Sequence, residues 1–462
     1  MADNQIRRYN DMTTGPEWKR LLLFALPIML GQLLQQLYST VDGIVVGNFI
    51  SSGALAAVGS CATMGMLFIA FSLGLSSGSG VVVAQFFGAG RHGDMRATAA
   101  NILLLLGLLG FVASLLAVLS ARFCTAVILS IDDAAIQREA EIYFRIYGVG
   151  LLFTFLYNAI AAILRAVGDS KAVLYFLLVS TVANTILDIL FVRVLGWGVA
   201  GAAWATVISQ IACAAVSVWY LFRRYPAFRF TSAKELRFDP GKLKLCLRMG
   251  VPSTLQMVTV SCGHLLLQRL INTFGEVTMA AVTVGSRFDH YCSVPIMSGF
   301  QAMSSFAGQN TGAGRYDRVK RGLIGAIVIN LCILAVICPL LYLFAPSLAM
   351  LFGVEGETLH RSVEYLRYLC LVYPVFALYS PVSGLFQGCG EPLWAALVAL
   401  AALGVRVGIS YILILGFQFD YHALWTPYLV GWLVALTIAV LHFATGKWKT
   451  RSLVKIEGET KP

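Results

Sequence analysis

The stretch GAGR at residues 88–91 returns at residues 312–315, 224 residues further along the chain. Three more matches follow in the same order at offsets of 226, 225 and 222: VGS at 58–60 and 284–286, proline at 27 and 252, and glycine followed by an acid at 168–169 and 390–391. Four matches in register indicate an internal duplication. Each half holds six apolar segments, so both would enter a membrane from the same side, as parallel repeats around a central cleft that suits alternating access.

The composition is that of a membrane protein. Of the 462 residues, 58% are hydrophobic and 12% are charged, and the mean hydropathy is +0.78. A soluble protein of this size cannot bury so much apolar surface. The net charge of +11 predicts contact with an anionic inner leaflet rather than with nucleic acid. The 10 cysteines are scattered without a C-x-x-C pair, which argues against disulfides and zinc.

Twelve apolar segments are long enough to cross a bilayer, which takes about 20 helical residues. They lie at about 21–49, 54–83, 97–119, 142–164, 172–194, 198–221, 246–272, 278–306, 322–344, 363–387, 393–415 and 421–445. The predicted fold class is therefore all-α integral membrane, with twelve transmembrane helices in two pseudo-symmetric six-helix lobes.

The distribution of Lys and Arg predicts the orientation. These residues concentrate in segments that a cytoplasmic N-terminus would place inside the cell, above all the 222–248 region and the tail after Lys447. The positive-inside rule then predicts a multi-pass protein of the plasma (inner) membrane with both termini cytoplasmic. The predicted organisation is an N-terminal six-helix lobe at 1–221, a cytoplasmic linker at 222–245, a C-terminal six-helix lobe at 246–446 and a cytoplasmic tail at 447–462.

A layer of polar residues is predicted in the outer half of the N-terminal lobe. A rise of about 1.5 Å per residue places Asp42 and Asp188 roughly 9 Å below the outer ends of helices 1 and 5, and Thr206 about 12 Å below that of helix 6. Asn184 shares a helix face with Asp188 at i and i+4. Two carboxylates in a dry layer can take up and release a proton. A water-facing Asp42, and packing hydrogen bonds for Asn184 and Thr206, remain the alternatives.

These residues resemble the multidrug and toxic compound extrusion (MATE) family. The resemblance rests on ALPIM at 25–29, VDG at 41–43, the GAG loop, and Asn184-x-x-x-Asp188 with Thr206, which are similar to the proton-coupled DinF-like branch. It covers nearly the whole chain. It implies export of amphipathic, usually cationic, compounds in exchange for H⁺ or Na⁺. It also implies that Asp42, Asn184, Asp188 and Thr206 couple the cation, and that helix 1 bends at Pro27.

The C-terminal lobe departs from this pattern. At the local offset of 222, Asn184 maps to Arg406 and Asp188 to Ser410. The segment 246–272 has no acid, which argues against the C-lobe Na⁺ site of the other branch. Similar depths predict that Arg406 and Asp289 form an ion pair. With Arg287 and His264 nearby, this C-lobe polar patch is either a structural pair or part of a substrate or gating site.

The function predicted is secondary active export, an amphipathic and often cationic substrate being exchanged for H⁺. The chain has no G-x-x-x-x-G-K-[ST] motif, so an ion gradient would have to drive transport. The alternatives are a Na⁺-coupled exporter and a lipid-linked oligosaccharide flippase of the wider superfamily. An intramembrane acyl- or prenyltransferase is disfavoured because the DD pair at 132–133 lacks a continuing acidic repeat, and nothing suggests the symmetric filter of a channel.

The remaining expectations concern partners. The chain is not expected to be an enzyme or to hold a cofactor or metal; its only accessory would be the coupling ion, H⁺ or possibly Na⁺. Its partners are expected to be small organic substrates and the lipid bilayer, with no nucleic acid, and it is expected to act as a monomer.

Overall fold

Twelve long α-helices run through the described residues of the computed structural model, which are 11–49, 52–129, 133–230 and 237–454. Side chains at 38–49, 52–56, 62–63 and 264 also lie outside the description. The helices are α1 (Glu17–Phe49), α2 (Ser52–Gly88), α3 (His92–Phe123), α4 (Ala134–Ala166), α5 (Ser170–Asp188), α6 (Gly198–Arg224), α7 (Pro240–Asn272), α8 (Gly275–Gly312), α9 (Tyr316–Met350), α10 (Gly356–Cys389), α11 (Pro392–Tyr411) and α12 (Thr426–Ala444). The predicted all-α, twelve-helix fold is confirmed.

Ten of these helices, α1–α6 and α9–α12, are long and apolar enough to cross a membrane by length and composition. The remaining two correspond to the predicted segments 246–272 and 278–306. α7 carries basic residues at both ends, and α8 carries charged residues along its first half, so their mean hydropathy is lower. The exposed charged residues within α8 point to a surface of that helix that does not face lipid.

The repeated sequence matches lie at corresponding structural breaks. Gly90 and Gly314 end the turns after α2 and α8 with φ of 71° and 70°, and Gly168 and Gly390 precede α5 and α11 with φ of 88° and 98°. A residue with a side chain is strained at such positive φ values, which explains why glycine recurs there. The duplication read from the sequence is therefore also present in the backbone.

Two compact units can be distinguished by their internal contacts. One contains residues 30–87 and 91–254; the other contains Met12–Met29, Gly88–Gly90 and the chain from Leu255 onward. Helices α1 and α7 thus each contribute to both units. The lobe boundaries near 221 and 246 stay predictions.

The segment before α1 is anchored within the second unit. The backbone N–H of Met12 donates to Oε1 of Gln309 at 2.9 Å, and Nη1 of Arg315 donates to the carbonyl oxygen of Thr13 at 2.6 Å. Met12 and Thr13 are buried. The loop that carries the second GAGR stretch therefore fixes the entry into α1.

The segment before α7 is held in the same way within the first unit. The backbone N–H of Asp239 donates to Oδ1 of Asn101 at 3.1 Å, and Nζ of Lys242 lies 2.5 Å from the Asp94 carboxylate. Asp94 and Asn101 lie on α3, which begins directly after the first GAGR stretch. Each copy of the motif therefore lies next to residues that hold the start of the first helix of a six-helix half: α7 for the first copy and α1 for the second.

Candidate functional site

The first unit brings Asn184, Asp188 and Thr206 together. All three side chains are buried, with exposed fractions of 1%, 0% and 3%. When the amide of Asn184 is oriented to satisfy both neighbours, its nitrogen donates to Oδ2 of Asp188 at 2.7 Å and its oxygen accepts from the backbone N–H of Thr206 at 3.2 Å. The hydroxyl oxygen of Thr206 lies 3.5 Å from the same amide group. The predicted proximity of these three side chains is present in the structure.

The local sequence explains this arrangement. The carboxylate of Asp169 accepts from the backbone N–H of Ala172 and so caps the start of α5. At its other end α5 stops at Asp188 and continues as a wider π-helical turn at Ile189–Val194. A matching turn, Ile412–Gly416, follows α11 in the second half. π-Helical turns are frequent at functional sites, and here one begins directly after the buried carboxylate.

Two other predicted residues of the N-terminal site lie on α1. The side chain of Asp42 lies outside the described residues, so its role in the layer remains a prediction. Pro27 is buried in the interior of α1, three residues before the division between the two units at Leu30. Proline removes a backbone hydrogen bond inside a helix, so the predicted bending point has a physical basis.

The C-lobe polar patch differs from the prediction in one respect. The carboxylate of Asp289 accepts hydrogen bonds from the hydroxyls of Tyr373 at 2.9 Å and Tyr428 at 3.5 Å. The guanidinium carbon of Arg406 lies 3.6 Å from the centroid of the Tyr428 ring. In the described chain, the expected direct ion pair of Arg406 and Asp289 is therefore replaced by an indirect link through Tyr428, whose hydroxyl contacts the carboxyl group while its ring contacts the guanidinium.

A close helix contact places Arg406 over this ring. A side chain at Gly431 of α12 would come within 2.7 Å of the carbonyl oxygen of Ala402 and 3.3 Å of Cβ of Arg406 on α11. Glycine at 431 therefore lets the two helices approach, and Tyr428, one turn earlier on α12, comes to lie under the guanidinium.

The other two members of the predicted patch are less constrained. Arg287 on α8 is exposed, and the side chain of His264 on α7 lies outside the described residues. Within the part of the chain that is described, no group of three or more His, Cys, Asp or Glu side chains could hold a metal ion.

Two further buried clusters were missed by sequence reasoning. In the first unit the carboxylate of Asp169 accepts from the hydroxyls of Tyr220 at 2.9 Å and Tyr225 at 2.8 Å. In the second unit Oε2 of Glu391 lies 2.8 Å from Nε2 of His442, with both side chains almost fully buried. The glycine–acid pairs that recur at 168–169 and 390–391 could have indicated these clusters from the sequence. In each half the acid contacts residues at the end of the sixth helix, α6 or α12.

The comparison with family models gives one match that spans both halves. The MatE model matches residues 27–190 and 252–412. The two matched stretches correspond to the two repeats and together cover well over half of the chain.

Whole-length relatives agree with this match. The chain is 31% identical over 448 residues to "Probable multidrug resistance protein YoeA" of Bacillus subtilis (strain 168), covering 95% of this chain and 96% of the relative. It is 23% identical to "Probable multidrug resistance protein NorM" of Thermotoga maritima, covering 95% of each. Among solved structures, an outward-facing multidrug resistance MATE family transporter of the MOP superfamily matches with a TM-score of 0.88 and 25% identity, over 95% of this chain and 98% of the other. The chain belongs to the multidrug and toxic compound extrusion (MATE) family of multidrug efflux transporters, which are multi-pass membrane proteins and not enzymes.

Proposed function

We propose that this chain exports amphipathic small molecules by proton antiport, and that the proton binds in the layer formed by Asp42, Asn184, Asp188 and Thr206. The observation that carries the proposal is the burial of Asp188 beside an amide and a hydroxyl inside a membrane protein. An ionised carboxylate in such a place is costly unless it is hydrogen-bonded, paired or periodically neutralised. Proton uptake is the simplest way to neutralise it.

The hydrogen-bond requirements around Asn184 support a proton rather than Na⁺ at Asp188. In the amide orientation that satisfies both neighbours, the nitrogen faces Asp188 and the oxygen accepts from the backbone N–H of Thr206. A sodium ion bound beside the Asp188 carboxylate needs oxygen ligands, whereas the amide presents a donor there. Protonation of Asp188 needs no such reversal, because a neutral carboxyl group still accepts from the amide through its carbonyl oxygen.

Antiport follows if substrate and proton bind in alternation. Protonation removes a buried negative charge, and the removal of this charge allows α1 to repack, with bending at Pro27. By linkage, bound substrate then weakens proton binding and bound proton weakens substrate binding to the same degree. A proton moving down 100 mV releases about 2.3 kcal/mol, and each pH unit adds about 1.4 kcal/mol. A few kcal/mol supports a substrate gradient of roughly a hundredfold.

The proposal includes the setting of the transporter. The protein acts as a monomer in the plasma (inner) membrane with both termini in the cytoplasm, and it needs no cofactor beyond the coupling ion. Its cargo is an amphipathic organic molecule that carries a cationic group in many cases.

Flux measurements in proteoliposomes test the coupling ion. A fluorescent lipophilic cation is supplied on the cytoplasmic side of the reconstituted protein, and a pH gradient or a Na⁺ gradient is imposed separately. We expect export when the external side is acid and Na⁺ is absent, and no export when the gradient is reversed. A protonophore and protein-free liposomes control for leak. Export that follows the Na⁺ gradient and ignores both pH and membrane potential would contradict proton coupling.

A further inference from the structure

Arg406 is a membrane-embedded cation whose charge is only partly compensated. Its guanidinium stacks on Tyr428 at 3.6 Å, and its buried Nε donates a hydrogen bond to no described residue. Guanidinium donors lie in the plane of the group, so stacking on a ring leaves them free. A buried donor without an acceptor is rare in folded proteins and calls for an explanation.

The neighbouring carboxylate does not supply that acceptor. Asp289 is held by the hydroxyls of Tyr373 and Tyr428, which occupy one lone pair on each of its oxygens. The tyrosine hydroxyls therefore hold the carboxyl group of Asp289 without bringing it into direct contact with Arg406. The in-plane Nε–H of Arg406 is therefore left without an acceptor in the described chain.

One further donor on α11 has no acceptor in the described chain. Ser410 follows Arg406 by one turn of α11, is fully buried, and its Oγ has no hydrogen-bond partner. Arg406 and Ser410 occupy the positions that Asn184 and Asp188 hold in the first half. The repeat thus has a donor pair where the other half has its acidic site.

The exposed face of α8 carries polar and charged residues over its first four turns. Its exposed positions in the first four turns include Glu276, Thr283, Arg287 and His290, which follow one another at helical spacing. A lipid-facing stripe would be apolar, whereas polar stripes within a membrane protein line water-filled paths. Arg287 and His290 make the inner part of this stripe basic. It ends one residue from Asp289, the α8 residue that accepts from Tyr373 and Tyr428.

We propose that Arg406 and Ser410 form a binding site for the carboxylate of an amphipathic substrate, with Arg287 and His290 attracting this anionic group along the water-facing stripe. The inference rests on the proposed export function and specifies its substrate class as molecules that carry an anionic group, zwitterions included. The carboxylate accepts from Nε of Arg406 and from Oγ of Ser410. Arginine suits this role because its planar donors match the two oxygens of a carboxylate.

Equilibrium binding of two matched dyes tests the site without any ion gradient. Rhodamine B has a free carboxylate, and its ethyl ester lacks that charge while keeping the same cationic ring system. We expect the purified protein to bind rhodamine B about tenfold more tightly than the ester, the range of one charge-assisted hydrogen bond. Arg406→Gln should bring the ratio of the two affinities close to one by weakening only the rhodamine B complex. Arg406→Lys should retain part of the preference, because it keeps the charge but not the planar donors.

Arg367→Gln is the matched control, since Arg367 is an exposed arginine of the same unit that stacks on a tyrosine, Tyr342, at 4.9 Å. This change should leave the ratio of affinities as in the parent protein. Ser410→Ala provides a second variant should Arg406→Gln fail to fold, and we expect it to reduce the ratio about threefold. Thermal unfolding of each variant verifies its folding.

Two results would overturn the site: equal affinity of the parent protein for both dyes, or an unchanged ratio in folded Arg406→Gln and Ser410→Ala. These outcomes are independent of the coupling ion. If the dye preference depends on Arg406 while flux follows Na⁺, the anion site stands and proton coupling fails. If flux follows the proton gradient and the dye preference is absent, proton coupling stands and the anion site fails.

Discussion

Asn184 and Asp188 lie one helical turn apart on α5, and the amide of Asn184, in the orientation that satisfies both neighbours, joins the Asp188 carboxylate, at 2.7 Å, to the backbone of Thr206 on α6. The protonation state of Asp188 thereby acts on the contact between two helices. An ionised carboxylate accepts a strong hydrogen bond from the amide, and a neutral one accepts a weaker bond. Proton binding should therefore loosen a contact between α5 and α6.

Replacement of Asp188 by Asn should abolish coupled efflux while the protein still folds and inserts. The substituted amide cannot ionise, so the layer loses the charge whose neutralisation drives the cycle. We expect substrate flux under an imposed pH gradient to fall to the level of protein-free liposomes, and Asp42→Asn to act in the same way. Efflux at the parental rate in either variant would exclude that residue from coupling.

Glu141→Gln serves as the control for this experiment. Glu141 is a carboxylate of the same unit near the start of α4, where it pairs with the exposed Arg145 at 2.6 Å. Surface pairs of this kind contribute about 0–1 kcal/mol to stability. The variant should transport normally, which separates a specific effect at Asp188 from the general loss of an acid.

The grouping of Asn184, Asp188 and Thr206 could be predicted from the sequence. Asn184 and Asp188 share a helix face because of their spacing, and the short connection between helices 5 and 6 sets the depth of Thr206. Charged and amide groups also stand out in an apolar segment. The same contrast made Arg406 and Asp289 visible, and their similar depth predicted their proximity.

The role of Tyr428 was not accessible in this way. Aromatic residues are frequent in membrane helices and usually pack against lipid or other side chains, so sequence alone did not distinguish Tyr428 from its neighbours. The same applies to the His442–Glu391 pair, whose members are 51 residues apart. Such contacts depend on which helix faces meet, and the close approach at Gly431 is a property of the packed structure.

The link between Asp289 and Arg406 should depend on Tyr428. Arg406→Gln and Asp289→Asn are combined in a double-mutant cycle of thermal stability, first in the parent and then in a Tyr428→Leu background. We expect a coupling of about 1 kcal/mol in the parent, in the range of cation–π and hydrogen-bond contributions, and none without the ring. Strictly additive losses in the parent would show that the two charges do not interact.

Tyr428→Phe refines this cycle because it keeps the ring and removes only the hydroxyl. It should lower stability by about 0.5–1.5 kcal/mol through the lost hydrogen bond to Asp289, while leaving the stacked Arg406 in place. If Tyr428→Phe is as destabilising as Tyr428→Leu, the ring contributes nothing to holding the guanidinium.

The cluster around Asp169 should stabilise the end of α6 over a wide pH range. Burial, and then the adjacent carboxylate of Asp169, raise the pKa of Tyr225 above its ordinary value. A raised pKa means that the stabilising contribution is complete below the unfolded-state pKa of about 10 and is lost only at higher pH. The stability difference between the parent and Tyr225→Phe should therefore stay constant between pH 6 and pH 9, by order of magnitude about 1 kcal/mol.

Thermal melts of the two proteins across this range measure the difference. Tyr175→Phe is a suitable control, because Tyr175 on α5 is 60% exposed and its hydroxyl makes no hydrogen bond recorded among the described residues. A difference that disappears within pH 6–9 would mean that the Tyr225 hydroxyl is not the donor on which this cluster depends.

Pro27 should matter for transport more than for stability. It lies inside α1 three residues before Leu30, where the helix passes from one compact unit to the other. Because proline cannot donate to the preceding turn, bending at this point breaks no hydrogen bond that a straight helix would have. Pro27→Ala restores the donor, so the straight form of α1 should gain stability, by about 1–3 kcal/mol. We expect the melting temperature to rise while proton-driven flux falls at least about tenfold, a loss that corresponds to roughly 1.4 kcal/mol in the rate-limiting step.

Pro339→Ala on α9 is the matched control, since Pro339 is also an interior proline but is exposed and lies within a single unit. The flux of the Pro339→Ala protein should be unchanged. A folded Pro27→Ala protein that transports at the parental rate would show that the cycle does not require bending at this position.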